Sequence, residues 1–113
     1  AVIVQAEHAL AVENIDSIVQ VKGIDAVQLG PYDLSASMGK MGQINDPEVV
    51  AAIDGICEAV NSAGLPIGSF SLTPTAAEAD IQRGATLICT GTDAMLLGRA
   101  AEAMLAQSRE LDR

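Results

Sequence analysis

The sequence predicts an α/β fold with a parallel sheet, and three observations carry that prediction. Two short apolar runs, Ala1–Ala6 and Ala26–Tyr32, are bounded by turn or helix signals, as buried parallel strands are. Segments of helical period separate the strand-like runs along the whole chain. The apolar half of the composition is mainly Ala, Val, Ile and Leu, with only Tyr32 and Phe70 aromatic, which suits helices lying close against a sheet.

The first strand runs into Glu7. From Ala9 to Gln20, Val12, Ile15, Ile18 and Val19 fall three and four apart, an amphipathic helix closed near Gly23. Asp25 to Leu29 is the second strand. Gly30 to Ile44, with Gly30, Pro31, Gly39 and Gly42, is a loop carrying one helical turn at Leu34 to Met38. Asp46 and Pro47 start a helix as N-cap and first helical residue. Val49, Ile53, Ile56, Cys57 and Val60 mark its buried face, and Gly64 its stop. Pro66 to Leu72 is the third strand. Thr75 to Glu78 fits a capping box opening a short helix that ends at Gly84. Leu87 to Thr90 is the fourth strand. Thr92 caps a last helix with Met95, Leu96, Arg99 and Met104, ahead of a charged tail. This alternation favours right-handed crossovers.

Both early strands end in a carboxylate, Glu7 and Asp33. With one helix between them, the two would sit at the C-terminal ends of neighbouring strands, where parallel α/β folds gather ligands. Two hard oxygen donors about a strand spacing apart suit a divalent cation such as Mg²⁺ or Mn²⁺. The plainer alternative is two polar residues where strands meet solvent. His8, the only histidine, adjoins Glu7, but pleat alternation turns it the other way. Asp93 follows Gly91 and Thr92 and is better placed to complement a helix dipole than to bind metal. Arg83 and Arg99 sit on helical patterns as surface or interface charges.

The second carboxylate stands in Gly30-Pro31-Tyr32-Asp33-Leu34-Ser35, followed by Ala36-Ser37-Met38-Gly39. With Gln5-Ala6-Glu7, Asp46-Pro47-Glu48-Val49, Gly64 to Gly68, Gly84-Ala85-Thr86 and Gly91 to Ala100, this resembles the HpcH/HpaI class II aldolases. These are metal-dependent pyruvate aldolases of the phosphoenolpyruvate mutase-like superfamily. The likeness covers essentially the whole chain, and Gly-Pro-x-Asp-Leu-Ser is its specific part.

The resemblance implies that residues 1–113 are one domain, the second (βα)₄ half of a TIM (β/α)₈ barrel with parallel strands. The chain lacks an initiator Met and opens inside a strand pattern, as a fragment or processed piece would. The implied activity is a carbon–carbon lyase, reversibly cleaving a 4-hydroxy-2-oxo acid to pyruvate, or a similar 2-oxo acid, and an aldehyde. Glu7 and Asp33 would hold Mg²⁺, Mn²⁺ or Co²⁺. Backbone amides of Tyr32 and Asp33 would bind the substrate carboxylate, and Phe70 would lie beside the substrate. The Tyr32 ring would line the pocket mouth or a subunit contact. The catalytic base and a substrate-polarising arginine are expected in the first half of the barrel, outside this sequence. The terminal helix resembles one that packs on a neighbouring subunit, so a homo-oligomer is expected.

A net charge of −9 with no Lys/Arg cluster argues against nucleic acid as a partner. No apolar run approaches the ~20 residues of a membrane span, and no export signal is visible. Cys57 and Cys89, without C-x-x-C spacing, are expected to be buried thiols of a reducing, cytoplasmic compartment. Two rivals remain. A citrate-lyase-β-like acyl-CoA lyase would want basic residues for the CoA phosphates, and none cluster here. A non-catalytic flavodoxin-like binding or regulatory domain fits the length better. A response regulator, however, needs an acidic pair after its first strand and a late Lys, and this chain has neither.

Overall fold

Four parallel strands form one sheet in the order β1-β2-β3-β4 in the computed structural model, which describes residues 1–111. Asp112 and Arg113, the end of the charged tail, lie outside the described residues. The strands are β1 (Ile3–Ala6), β2 (Ala26–Leu29), β3 (Ile67–Ser71) and β4 (Ala85–Thr90). The helices are α1 (Ala9–Glu13), α2 (Ile15–Ile18), α3 (Pro31–Ser37), α4 (Pro47–Ser62), α5 (Glu78–Gln82) and α6 (Asp93–Glu110). Each strand pairs with the next in sequence, as sequential βα units require.

Most elements follow the sequence, and the departures have local causes. The helix expected over Ala9 to Gln20 is broken at Asn14, whose side-chain amide donates to the Leu10 carbonyl at 2.7 Å. Asn side chains compete in this way with the helical ladder. In place of one turn at Leu34, α3 begins three residues earlier, because Pro31 at the first helical position is pre-set for a helix. The capping box at Thr75 does not form. Residues 73–78 instead make overlapping turns, and the hydroxyl that accepts a backbone N–H is that of Thr73, from Ala76 at 3.2 Å. By contrast, Asp46 accepts from the Glu48 N–H at 2.9 Å and caps α4 as expected. Gly64 ends the α4 segment with φ +72°, a conformation that favours glycine.

The core lies between one face of the sheet and the early helices. Val27, Ile67 and Ala85 are paired across β2, β3 and β4 and meet Val49, Ile56 and Val60 of α4, all buried. The five apolar positions expected on α4 are all in this core. Burying a side chain such as Ile56, fully covered here, contributes about 1.5–3 kcal/mol.

Among the described residues, no helix covers the opposite face. It carries Gln5, Gln28 and Leu87 in register, with Phe70 opposite Cys89. Cys57 is buried as expected, but Cys89 is exposed, because strand alternation turns it onto this open face. The 18-residue α6 buries no residue. The outline is accordingly drawn out, 62 × 31 × 21 Å, with a radius of gyration of 17.3 Å against about 13 Å for a compact chain of this length. The edges β1 and β4 and the open face are those that a closed barrel would cover. The chain has the architecture of a (βα)₄ half of a (β/α)₈ barrel.

Candidate metal and substrate site at the strand ends

The site is built where β1 and β2 end. Ala6 and Leu29 are register partners, and the Gly30 N–H extends the ladder by donating to the Ala6 carbonyl at 3.1 Å. Glu7 and Gly30 are therefore neighbours across the strand ends. A Cβ on Gly30 would lie 2.6 Å from the Glu7 Cβ and 3.2 Å from its Oε2. The glycine is required by this contact, since its φ of −119° is open to any residue. The Glu7 side chain rests in the space a larger residue would fill. The chain then turns at Pro31 into α3, whose first turn holds Asp33. Glu7 is half-buried and Asp33 exposed.

Beside this turn opens a cleft of about 270 Å³, lined by Gln5, Gln28, Pro31, Tyr32, Asp33 and Phe70 among others. The three residues expected to touch substrate, Tyr32, Asp33 and Phe70, thus share one cleft, and Glu7 packs on the Gly30 that forms part of its wall. Tyr32 is 41% exposed at its edge. The N–H groups of Tyr32 and Asp33 lie in the first turn of α3, where no intrahelical carbonyl reaches them.

Other candidates fall elsewhere. The Nδ1 of His8 accepts from the Leu10 N–H at 3.1 Å, so this histidine is used as the N-cap of α1. Asp93 stands in the first turn of α6 and accepts from the Ala94 N–H at 2.8 Å, in keeping with a helix-end role. Arg99 is exposed. Arg83 is no free surface charge: it bonds Asp54 at 2.7 Å and Asp80 at 3.1 Å, and these contacts, Asp54 first, raise its pKa.

Two glutamines were missed by sequence reasoning. The β2–β3 ladder stops at Gln28 and Gly68. Beyond it, the Gln28 carboxamide, with its oxygen toward β3, accepts from the Ser69 and Phe70 N–H groups at 3.3 Å each. Gly68 leaves the room this amide occupies. Gln5 lies on the same open face, and the only signal for either was a polar residue inside an apolar strand run.

The long loop between α3 and α4 is well tied. The Ser35 hydroxyl donates to the Tyr32 carbonyl at 2.6 Å and accepts from the Gly42 N–H at 3.0 Å. Lys40 bonds Asp46 at 2.8 Å and lies 3.3 Å from Glu48. The Lys40 hydrogen bond holds the Asp46 carboxyl below its usual range, and the same bond raises the Lys40 ammonium.

Sequential parallel βα units, with acidic residues and a cleft at the carboxyl ends of the strands, define part of a barrel of the enzyme type. The chain belongs to the HpcH/HpaI aldolase/citrate lyase family, whose sequence profile matches residues 1–100. It is 41% identical over 108 residues to a hydroxypyruvate/pyruvate aldolase of Cupriavidus necator, covering 96% of this chain and 40% of that protein. A 2-keto-3-deoxy-L-rhamnonate aldolase of Salmonella dublin is 37% identical over 109 residues, with coverages of 96% and 41%. The crystal structure of a family member from Burkholderia cenocepacia superposes with a TM-score of 0.91 at 36% identity, covering 96% of this chain and 42% of that one. The chain thus spans about two fifths of the length of these relatives. Membership of this family removes the flavodoxin-like reading.

Proposed function

We propose that this chain supplies the metal- and carboxylate-binding part of a carbon–carbon lyase, a divalent-metal-dependent aldolase. The reaction is reversible cleavage of a 4-hydroxy-2-oxo acid to pyruvate, or a similar 2-oxo acid, and an aldehyde. The carrying observation is the packing of Glu7 on Gly30, one strand over from the helix turn that presents Asp33 to the cleft. The printed names of the two aldolase relatives support the substrate class.

Two carboxylates fit a hard cation: Glu7 follows the end of β1, Asp33 stands in the helix turn that follows β2, and Gly30 clears space for the first. Among the described residues, no group of three or more His, Cys, Asp or Glu is placed to hold a metal ion, so the protein would offer these two carboxylates alone. Mg²⁺, Mn²⁺ and Co²⁺ suit such a donor set, with waters and substrate taking the other positions. When bound, the cation would supply Lewis-acid stabilisation of charge developing at the substrate keto oxygen.

The chain's own residues then do the rest of the positioning. The Tyr32 and Asp33 amides donate to the substrate carboxylate, while Pro31, having no N–H, acts as a rigid spacer. Phe70 and Leu29 give the cleft an apolar wall that limits water around the reacting carbon. The base and the polarising arginine come from outside residues 1–113, and the functional enzyme is a homo-oligomer. No helix among the described residues is long and apolar enough to cross a membrane, and we place the enzyme in the cytoplasm.

Mn²⁺ titration followed by electron paramagnetic resonance tests the reading. Glu7→Gln and Asp33→Asn should each weaken saturable Mn²⁺ binding by at least about tenfold, roughly 1.4 kcal/mol. Unchanged binding in both would remove the metal site. Tyr32→Ala, in a complete enzyme, should leave pyruvate affinity within about tenfold, because the backbone does the binding.

A further inference from the structure

We propose that Ser37 is a positioning residue: its single hydroxyl ties the loop that carries Glu7 to the helix that carries Asp33. The proposal rests on the metal reading above and deepens it. The Ser37 Oγ accepts from the Ala9 N–H at 2.9 Å and donates to the Leu34 carbonyl at 2.7 Å. Ala9 comes two residues after Glu7, and Leu34 immediately follows Asp33. The bond therefore joins segments 28 residues apart in sequence, one carrying Glu7 and the other Asp33.

The other end of the Glu7 loop is already fixed. The Ala6 carbonyl accepts from Gly30, and the Gly30 carbonyl accepts from Leu34 at 2.9 Å. Ala6 and Ala9 are thus both fastened to the one stretch from Gly30 to Ser37, and Glu7 lies between the two fastenings. Without the Ser37 bond, the stretch from Glu7 to Ala9 would be held by the strand end and by the cap of α1, with no tie from Ala9 to the helix that carries Asp33. A carboxylate held at one end samples more orientations, and each must be given up when a cation is bound. Contacts made directly to metal ligands are worth about 10–100-fold in affinity when removed, and this tie, made to the backbone beside the ligand, is expected at the lower end of that range.

Ser37 and its donor can be deleted separately. Ser37→Ala removes the hydroxyl, and Ser37→Thr retains it. Ala9→Pro removes only the N–H, at the first position of α1, where proline is well tolerated. The preceding His8 already has φ −139° and ψ 146°, the extended conformation a following proline demands.

The experiment is Mn²⁺ titration of the chain by electron paramagnetic resonance. Thermal melts and amide exchange at Ala9 are measured alongside. The expected result is an affinity loss of about tenfold in Ser37→Ala and in Ala9→Pro, with native melts retained. Ser37→Thr should stay within about twofold of the unaltered chain. The double variant Ser37→Ala/Ala9→Pro should be no worse than either single one, since both delete the same bond. If Ser37→Ala fails to fold, Ala9→Pro decides alone. Full Mn²⁺ affinity in Ala9→Pro, beside lost affinity in Glu7→Gln, would overturn the positioning role and leave the metal site standing. Full affinity in Glu7→Gln and Asp33→Asn would overturn the metal reading, and the proposal with it.

Discussion

The two faces of the sheet are made by the same four strands, yet they differ in almost every physical respect. Beneath α4, Val27 and Ile67 are 0% and 1% exposed, in a close-packed layer of aliphatic side chains. On the other face Ile3 and Leu87 keep 49% and 39% of their surface in solvent, beside two glutamines and a free thiol. Side chains of similar hydrophobicity thus carry unequal weight in this chain. One face stabilises the sheet; the other, with the strand ends above it, is where ligands and further structure would be added.

The largest expected effect breaks the comparison directly. Ile56→Ala should cost about 3–4 kcal/mol through the cavity it leaves, while Leu87→Ala should cost less than about 1 kcal/mol. Urea titration of both variants checks this, and equal losses would mean that the open face is covered in solution. Next in size is an alkaline effect confined to the covered side. Burial pushes the Cys57 thiol from 9.0 up to about 11. A raised acid contributes stability in full below the lower value and loses it as pH climbs toward the upper one. At ~1.4 kcal/mol per pH unit the loss approaches about 3 kcal/mol, and Cys57→Ala should flatten it.

Smaller still is the cap of α4. Asp46→Ala should lower the melting temperature by a few degrees. Because the Lys40 hydrogen bond depresses this carboxyl below its usual 3.8, the cap's contribution is present above that pH and is lost as pH falls through the depressed value. Melts between pH 2 and pH 6 should therefore converge for the two proteins at the acid end. Smallest is α6, where Leu97 is 73% exposed. Leu97→Ser should leave stability within about 0.5 kcal/mol and reduce self-association seen by sedimentation velocity. A variant that melts lower would show that α6 packs on its own chain.

What was legible in the sequence follows the range of the forces involved. The α4 segment was read correctly from its Asp-Pro start to its Gly64 stop, because caps, periodicity and a left-handed glycine are all local codes. The parallel direction of the strands followed from alternation, and their sequential order from the barrel that the resemblance implied. The start of α3 was misplaced because Gly-Pro signals a turn as readily as a helix beginning. Cys89 was assigned to the interior because a strand run does not reveal which of its faces has a partner. At the site, Tyr32, Asp33 and Phe70 line one cleft. The Gln28 amide on β3 and the Ser37 hydroxyl on Ala9 depend on backbone groups far away in sequence, and no spacing rule marks them.

The anchoring of α5 makes ionic strength a local variable in this molecule. The helix buries none of its five residues. It is held by Asp80, which accepts from Ser69 of β3 and from Arg83, while Arg83 also reaches Asp54 on α4. Such half-exposed pairs weaken as salt shortens the screening length, from ~10 Å at 0.1 M to ~3 Å at 1 M. The apolar contacts under α4 do not weaken in that way. Added salt should therefore speed amide exchange in α5 while α4 stays protected, a regional loosening with no global unfolding. The third strand, with Phe70 next to Ser69, would feel that change first.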